Sequence, residues 1–259
     1  MQQTEMSGHN LKRPPFLGVY NIVRFNYEFF IFAGTVIAFS MTVGVLLAPG
    51  VPSSLGYLVA VGVVCATLAS LAVSCWVYDL SPLYTFTWLD PMVTGMRGNA
   101  LNIHAGFDET TLLLRSRYPH LSLEVMDFYN PVTHTERSIR RARAVQPPVA
   151  GTKHVLATAL GLRPSHYRAV FLFLAIHEIR DATERDVFLR QLRESLTADG
   201  MLIVVEHARD SVNFLAYNIG FLHFLPAREL LNGFENAGFR IVHELRITPF
   251  LRVFQLGHR

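Results

Sequence analysis

Two stretches without Asp, Glu, Lys, Arg or His, Phe29 to Leu47 and Val51 to Tyr78, follow one another near the start of this chain. A bilayer core of about 30 Å takes about 20 helical residues at 1.5 Å each, and both stretches reach that length. The alternative is a buried hairpin in a large core. Two adjacent uncharged runs weigh against it in a chain of 259 residues of which only 17% are charged. The pattern predicts spans at about residues 28–48 and 55–77, after a short N-terminal segment (residues 1–27). Lys12, Arg13 and Arg24 precede the first run, whereas residues 48–54 carry no charge. The positive-inside rule then puts the N-terminus and everything after Tyr78 in the cytoplasm. In a bacterium that means the inner (cytoplasmic) membrane, with the bilayer as a partner. A second run directly after the first argues for retained spans over a cleaved leader.

Small residues recur every fourth position, as Gly34, Ala38 and Thr42, then Gly62, Ala66, Ser70 and Ser74. Such stripes let helix backbones approach closely. Trp76, Tyr78, Tyr84 and Trp88 are placed to mark an interfacial exit, and Pro82 and Pro91 to break residues 79–97 into a connector. Cys65 and Cys75 both fall in the second run, which leaves no disulfide framework and no thiolate metal site. The net charge of +3 comes with no dense basic patch, so nucleic acid is not an expected partner. Arg137, Arg140, Arg141 and Arg143 fit either anionic headgroups or a solvated helix face.

From about residue 98 the period changes. Ala100–His104, Leu121–Met126, His154–Thr158, Ala169–Leu174 and Met201–Val205 read as strands. Helices are expected at Asp108–Arg117, Thr135–Ala144, Thr183–Leu196 and Arg228–Asn236. The fourth strand is apolar on both faces, as a central parallel strand should be. Arg240–Arg246 and Leu251–Leu256 form a closing pair around Thr248-Pro249. Alternating strands and helices predict an α/β, Rossmann-like doubly wound sheet over residues 98–259, with an antiparallel C-terminal strand, preceded by the two-helix hairpin (28–78).

Ligands of such sheets bind beyond the carboxyl ends of the strands. After strand one stand His104, Gly106 and Asp108. After strand two comes Asp127, placed to accept both hydroxyls of a ribose, with Phe128 beside it. Thr158 closes strand three and Leu174 strand four, followed by His177-Glu178. His207 follows strand five, and His223 lies in the Phe- and Leu-rich interval Asn213–Pro226.

Residues 98–256 resemble class I S-adenosylmethionine-dependent methyltransferases. The match is sharpest from Tyr167 to Glu206, where Val170-Phe171-Leu172-Phe173-Leu174-Ala175-Ile176-His177-Glu178-Ile179 leads to Arg185, Leu192, Leu196, Gly200 and Val204. The C-terminal hairpin is a further mark of that family. Its first loop reads acid-x-Gly-x-Gly-x-Gly, whereas here Asn102 stands for the acid and His104 and Asp108 for the outer glycines. The resemblance implies S-adenosyl-L-methionine as cofactor, held by Asn102, His104, Gly106, Asp108, Asp127, Phe128, Thr158 and Leu174.

His177, Glu178, His207 and His223 are the candidate catalytic residues, since imidazole titrates near neutrality and His177 follows the central strand. His177, Glu178 and His207 also suit a divalent ion, but their spacing is no helical metal motif and no metal is predicted. The resemblance makes Asn213–Pro226 a substrate lid; core packing or a third membrane contact are equal alternatives. The expected activity is O-methylation of a lipophilic small molecule presented from the membrane. Metal-dependent amino transfer, as in rhodoquinone-forming relatives, and a catalytically inactive membrane-tethered binding protein are the alternatives. The acceptor and the oligomeric state are left open.

Overall fold

The structure is a computed structural model that describes residues 13–47 and 51–259. Lys12 and Ala48-Pro49-Gly50, used above to assign orientation, lie outside the described residues. Among the described residues the first helix is α1 (Leu17–Phe25), then α2 (Tyr27–Leu46) and α3 (Val51–Cys75) form the hairpin. At 20 and 25 residues, both are long enough for a bilayer. Their apolar side chains are largely uncovered by protein: Phe32, Phe39, Leu46 and Leu58 are all about 70% exposed. The two helices cross closely where Gly56 faces Ser40 and Gly44; a Cβ on Gly56 would lie 2.6 Å from the Ser40 carbonyl. Ser53 Oγ donates to the Gly44 carbonyl at the same crossing, at 2.7 Å. The predicted stripe is not this crossing. Gly34 and Gly62 face open space, and Ala66 and Ser70 line a cavity.

Past α3 the helix widens into a π turn, Trp76–Leu80, followed by a 3-10 turn, Pro82–Tyr84, and the short α4 (Asp90–Val93). Expected to be an interfacial connector, this stretch is instead part of the core. Val77, Leu83, Phe86, Leu89 and Val93 are at most 2% exposed and pack on one face of the sheet. The proposed aromatic belt fails for the same reason. Trp88 stacks edge-on against Phe173, and Tyr78 and Tyr84 point into the domain. Of the four, Trp76 keeps a substantially exposed ring.

The domain runs β1 (Gly98–His104), α5 (Thr111–Arg117), β2 (Leu121–Asp127), α6 (Arg137–Val145), β3 (Lys153–His154), β4 (Tyr167–Phe173), α7 (Ala182–Ser195) and β5 (Leu196–Arg209). It continues with α8 (Ser211–Tyr217), β6 (Leu225–Pro226), α9 (Ala227–Asn236), β7 (Phe239–Thr248) and β8 (Leu251–His258). The sheet order is β3-β2-β1-β4-β5-β8-β7, with β6 pairing to β5. The β1, β2, β3, β4 and β5 strands are parallel; β8 enters antiparallel between β5 and β7. Alternation within the central strands explains the two covered faces. Leu101, Val170, Leu172 and Val204 pack under α7 and α9, whereas Ala100, Phe171, Ile203 and Val205 meet the post-α3 turns. The third strand is shorter than expected. Only Lys153 and His154 pair with β2, and the chain then turns through Leu156–Ala159.

Helix α1 is held across the ligand end of this sheet. The Asp79 carboxylate accepts the Gly18 and Val19 amides at 2.7 and 2.9 Å, supplying the first-turn partners that no local cap provides. Arg13 joins Asp79 to Glu109, and Phe25 packs edge-on against Phe107. The arginines of α6 serve the same joint. Arg137 and Arg141 pair with Glu28, and Arg143 pairs with Asp127, so three of the four are engaged by protein, not free for headgroups.

Candidate active site

A cavity of about 890 Å³ opens at the carboxyl ends of β1, β4 and β5. Its floor is formed by Ile103, His104 and Ala105 after β1, by Leu174 and His177 after β4, and by His207 on β5. Its far wall is not part of the sheet domain at all. Phe29, Ala33 and Val36 of α2 and Val63, Ala66 and Ser70 of α3 line it there, so the cavity reaches both apolar helices. The interval after β5, which the sequence left open as a lid, core packing or a membrane contact, forms α8 and a 3-10 turn, Asn218–His223. Tyr217, Leu222, His223 and Phe224 close one side, and Asn218 Nδ2 reaches the Ala66 carbonyl of α3 at 3.4 Å.

At the β1 end, Gly106 sits at φ +95°, a left-handed conformation suited to glycine. Burial pulls the His104 pKa down, so its imidazole is uncharged at neutral pH. Its Nδ1 accepts the Gly106 amide at 3.1 Å, which places the ring proton on Nε2. That Nε2 and Asp108 Oδ2 are both buried and unpartnered, and they face each other across 3.8 Å, beyond hydrogen-bond range. Asp108 Oδ1 caps α5 through the Thr110 and Thr111 amides. Asn102, expected in place of the family's acid, borders the cavity but directs its amide to the Thr110 and Thr111 hydroxyls at 3.0 and 2.7 Å. It ties β1 to α5.

Asp127 is fully buried at the end of β2. One oxygen accepts the Tyr129 amide at 2.9 Å, and the other pairs with Arg143 and, at 3.2 Å, with His154. Arg143 also reaches the Gly106 carbonyl and lies over the Tyr129 ring. Its guanidinium therefore occupies the edge where a ribose was expected. Two sequence assignments fail here. Phe128 is 0% exposed and packs on Phe188 in the core, because its side chain falls on the α7 face of the sheet. Thr158 is exposed in the turn after the shortened β3 and does not border the cavity. Leu174 does border it, at φ +50°.

The histidines divide into two groups. His177 lies in a 3-10 turn (Ile176–Glu178), with Nδ1 2.8 Å from Glu206 Oε2 and Nε2 3.5 Å from Glu178 Oε1. The other Glu206 oxygen accepts the Ile176 amide. Burial pulls the His177 pKa down, but Glu206 and Glu178 outweigh it and push it up to about 10. Burial likewise raises Glu178, yet its hydrogen bond to His177 brings it down to about 2. With no ion bound, the two carboxylates favour the protonated ring over the free-base form needed by the general base that His177 was expected to be. His223 stands against this pair, its Nε2 3.8 Å from Glu178 and its Nδ1 2.8 Å from Glu136.

His207 is separate. Its Nε2 meets the Tyr78 hydroxyl at 2.9 Å, and its Nδ1 lies near the Phe250 carbonyl and Asn213 Oδ1. Burial pushes its pKa down to about 4, so the ring is neutral at physiological pH. The metal trio considered from sequence, His177, Glu178 and His207, is therefore not assembled: His223 takes the place of His207. The sequence pattern assigns no site role to Tyr78, Tyr84, Glu109, Glu136 or Arg143; it places the two tyrosines in an interfacial belt and Arg143 on a basic helix face. Tyr84 donates to Glu109 at 2.6 Å, and both line the cavity. Glu109 and Glu136 stood beside helix starts, where an acid reads as a cap; only the fold shows what they face.

No family model and no curated sequence matches the chain. Solved structures do. CalO1, a methyltransferase of calicheamicin biosynthesis in its SAH-bound form, covers 95% of this chain with 73% of its own, at TM-score 0.51 and 14% identity. A SAM-dependent methyltransferase from Methanosarcina mazei covers 66% with 96% of its own, at TM-score 0.48 and 15% identity. One from Aquifex aeolicus covers 69% with 93% of its own, at TM-score 0.48 and 13% identity. The chain has the Rossmann-like fold of class I S-adenosylmethionine-dependent methyltransferases, with an antiparallel last strand. The two apolar helices precede that fold in the chain.

Proposed function

We propose that this chain is an S-adenosylmethionine-dependent methyltransferase, anchored in a membrane by α2 and α3, that methylates an oxygen of a lipophilic small molecule such as a quinone or phenolic lipid. The supporting observation is the cavity itself, which is lined both by the ligand end of the sheet and by side chains of the two apolar helices. Large exposed apolar surfaces mark a membrane or partner, and here such a surface flanks the open side of the site. A substrate dissolved in the bilayer can enter from that side without crossing water.

The residues present fit the cofactor. An uncharged His104 offers an orphaned Nε2–H, and Asp108 an orphaned carboxylate oxygen, in the same buried corner. An unpartnered donor beside an unpartnered acceptor suits an amino-acid zwitterion, which brings a carboxylate and an ammonium together. The two residues that replace glycines in the loop therefore supply what the loop lost. Asp127 would take the ribose once Arg143 releases it. When bound, S-adenosylmethionine supplies a methyl group on a sulfonium centre. The chain's contribution is to hold the acceptor oxygen in line with that methyl and exclude water. Tyr78 and His207 both line the cavity. As the new O–CH₃ bond forms and the S–CH₃ bond breaks, the acceptor's hydroxyl proton would leave through the Tyr78 hydroxyl, which in turn would donate its own proton to the uncharged His207 Nε2.

The test is to express the full chain with methyl-labelled cofactor and to weigh the products in a lipid extract. A labelled methyl on a lipophilic acceptor is expected. A product gaining an amino group would replace methyl transfer with the other chemistry of this cofactor. Failure of the purified protein to bind the cofactor would make it a tethered binding protein.

A further inference from the structure

We propose that His177, Glu178 and His223 form a binding site for one divalent first-row transition-metal ion, with its remaining coordination positions open to the cavity. Their three candidate ligand atoms lie within 4.8 Å of one another. Glu178 Oε1 stands 3.5 Å from His177 Nε2 and 3.8 Å from His223 Nε2. Ligands about 2.1 Å from an ion stand roughly 3–3.5 Å apart, so small side-chain rotations close the set.

The outer contacts are what distinguish this trio from a chance cluster. A metal-bound imidazole almost always gives its other ring N–H to a carboxylate or carbonyl, which fixes the tautomer and aims the free lone pair. Both histidines are held in that way. Glu206 Oε2 lies 2.8 Å from His177 Nδ1, and Glu136 Oε1 lies 2.8 Å from His223 Nδ1. A carboxylate oxygen can only accept, so Glu206 keeps a proton on His177 Nδ1 and Glu136 favours one on His223 Nδ1. Each Nε2 faces Glu178, and the ion would displace the proton that His177 Nε2 holds in the ion-free chain. Arg180 Nη2 also comes within 2.7 Å of His223 Nδ1 and keeps a second hydrogen beyond the one given to Glu136 Oε1, so Arg180 and Glu136 compete for that nitrogen; an ion on Nε2 would decide for the Glu136 bond.

The three ligands come from the turn after β4 and the 3-10 turn after α8, and all three line the cavity. Two imidazoles and one carboxylate favour manganese, iron, cobalt or zinc over magnesium or calcium, which prefer all-oxygen sets. Three protein ligands leave positions for oxygen donors from a substrate, so the ion would take a hydroxylated or keto-bearing acceptor at the inner end of the cavity. This site stands whether or not a methyl group is what the protein transfers.

The experiment uses the full chain in detergent micelles, stripped with chelator and titrated with Mn²⁺ in the absence of cofactor. The free Mn²⁺ signal is followed by electron paramagnetic resonance, and the visible absorption of Co²⁺ provides a second readout. One ion per chain is expected, with affinity lowered at least about tenfold in Glu178→Gln and His223→Ala. Glu136→Gln, which touches no ion, should still weaken binding by about 10–100-fold. Because it removes only a charge at a partly exposed site, it also decides the matter if either ligand variant fails to melt cooperatively. Absence of stoichiometric binding to the parent chain, or affinity equal to the parent's in all three variants, overturns the site. Since no cofactor is present, either result is independent of the methyl-transfer reading.

Discussion

The hydroxyl of Tyr78 lies 2.9 Å from Nε2 of His207, joining the end of the second apolar helix to strand β5 of the sheet domain. The contact forms because the helix widens into a π turn at Trp76–Leu80, which turns Tyr78 inward. Removing the hydroxyl leaves a buried imidazole nitrogen without its partner. Tyr78→Phe is expected to lower stability by about 1–3 kcal/mol, read as a drop in Tm.

The same histidine sets a pH dependence. His207 is held at about 4 in the folded chain against 6.5 in the unfolded chain. Between those values the unfolded state binds the extra proton, so stability should fall as pH drops from about 6.5 toward 4. His207→Gln is expected to flatten that acid limb in melts taken across the range. An unchanged slope would show that other groups govern it.

Asp127 and Arg143 should behave oppositely. Asp127→Asn removes the charge proposed to hold a ribose, and calorimetry with S-adenosylmethionine should show affinity lower by roughly tenfold to a hundredfold.

Arg143→Ala takes away the guanidinium that covers that carboxylate, so the ligand no longer has to displace it. Binding several-fold tighter than in the parent chain is the expected calorimetric result. Weaker binding would mean that Arg143 grips the ligand instead of competing with it.

Ala66 and Ala33 face the cavity from opposite apolar helices. Ala66→Phe should narrow the passage while leaving the cofactor end untouched. The expected result is a raised KM for a lipophilic acceptor with unchanged cofactor affinity. An unchanged KM would place the entrance elsewhere.

The sheet was legible because its strongest physical signal is local. Ala169–Leu174 is apolar on both faces, which only a doubly covered central strand tolerates, and Gly200 punctuates the return of the chain. The position of the cavity followed from that, since strand ends were known once the strands were. The connector was not legible. Pro82 and Pro91 read as loop punctuation, and nothing nearby in sequence reveals that Leu83, Phe86 and Leu89 cover the sheet. Nor did the pairing of His223 with Glu178 show, because two turns from distant parts of the chain meet only after folding. Phe128 misled because a strand-end aromatic can face either side of the sheet, and a one-residue change of parity decides which.

One consequence follows from the buried connector. A catalytic head on a slack tether samples many heights and angles above a surface, and linker length then governs how often it meets its target. Here Val77, Leu83, Phe86, Leu89 and Val93 weld the helices to the sheet, so the helical pair acts as a pedestal. If α2 and α3 stand in a bilayer, the cavity mouth sits at one fixed depth and one fixed tilt. Such a protein would select acceptors by where along their length the reactive oxygen lies, reading the distance from a headgroup as a ruler does.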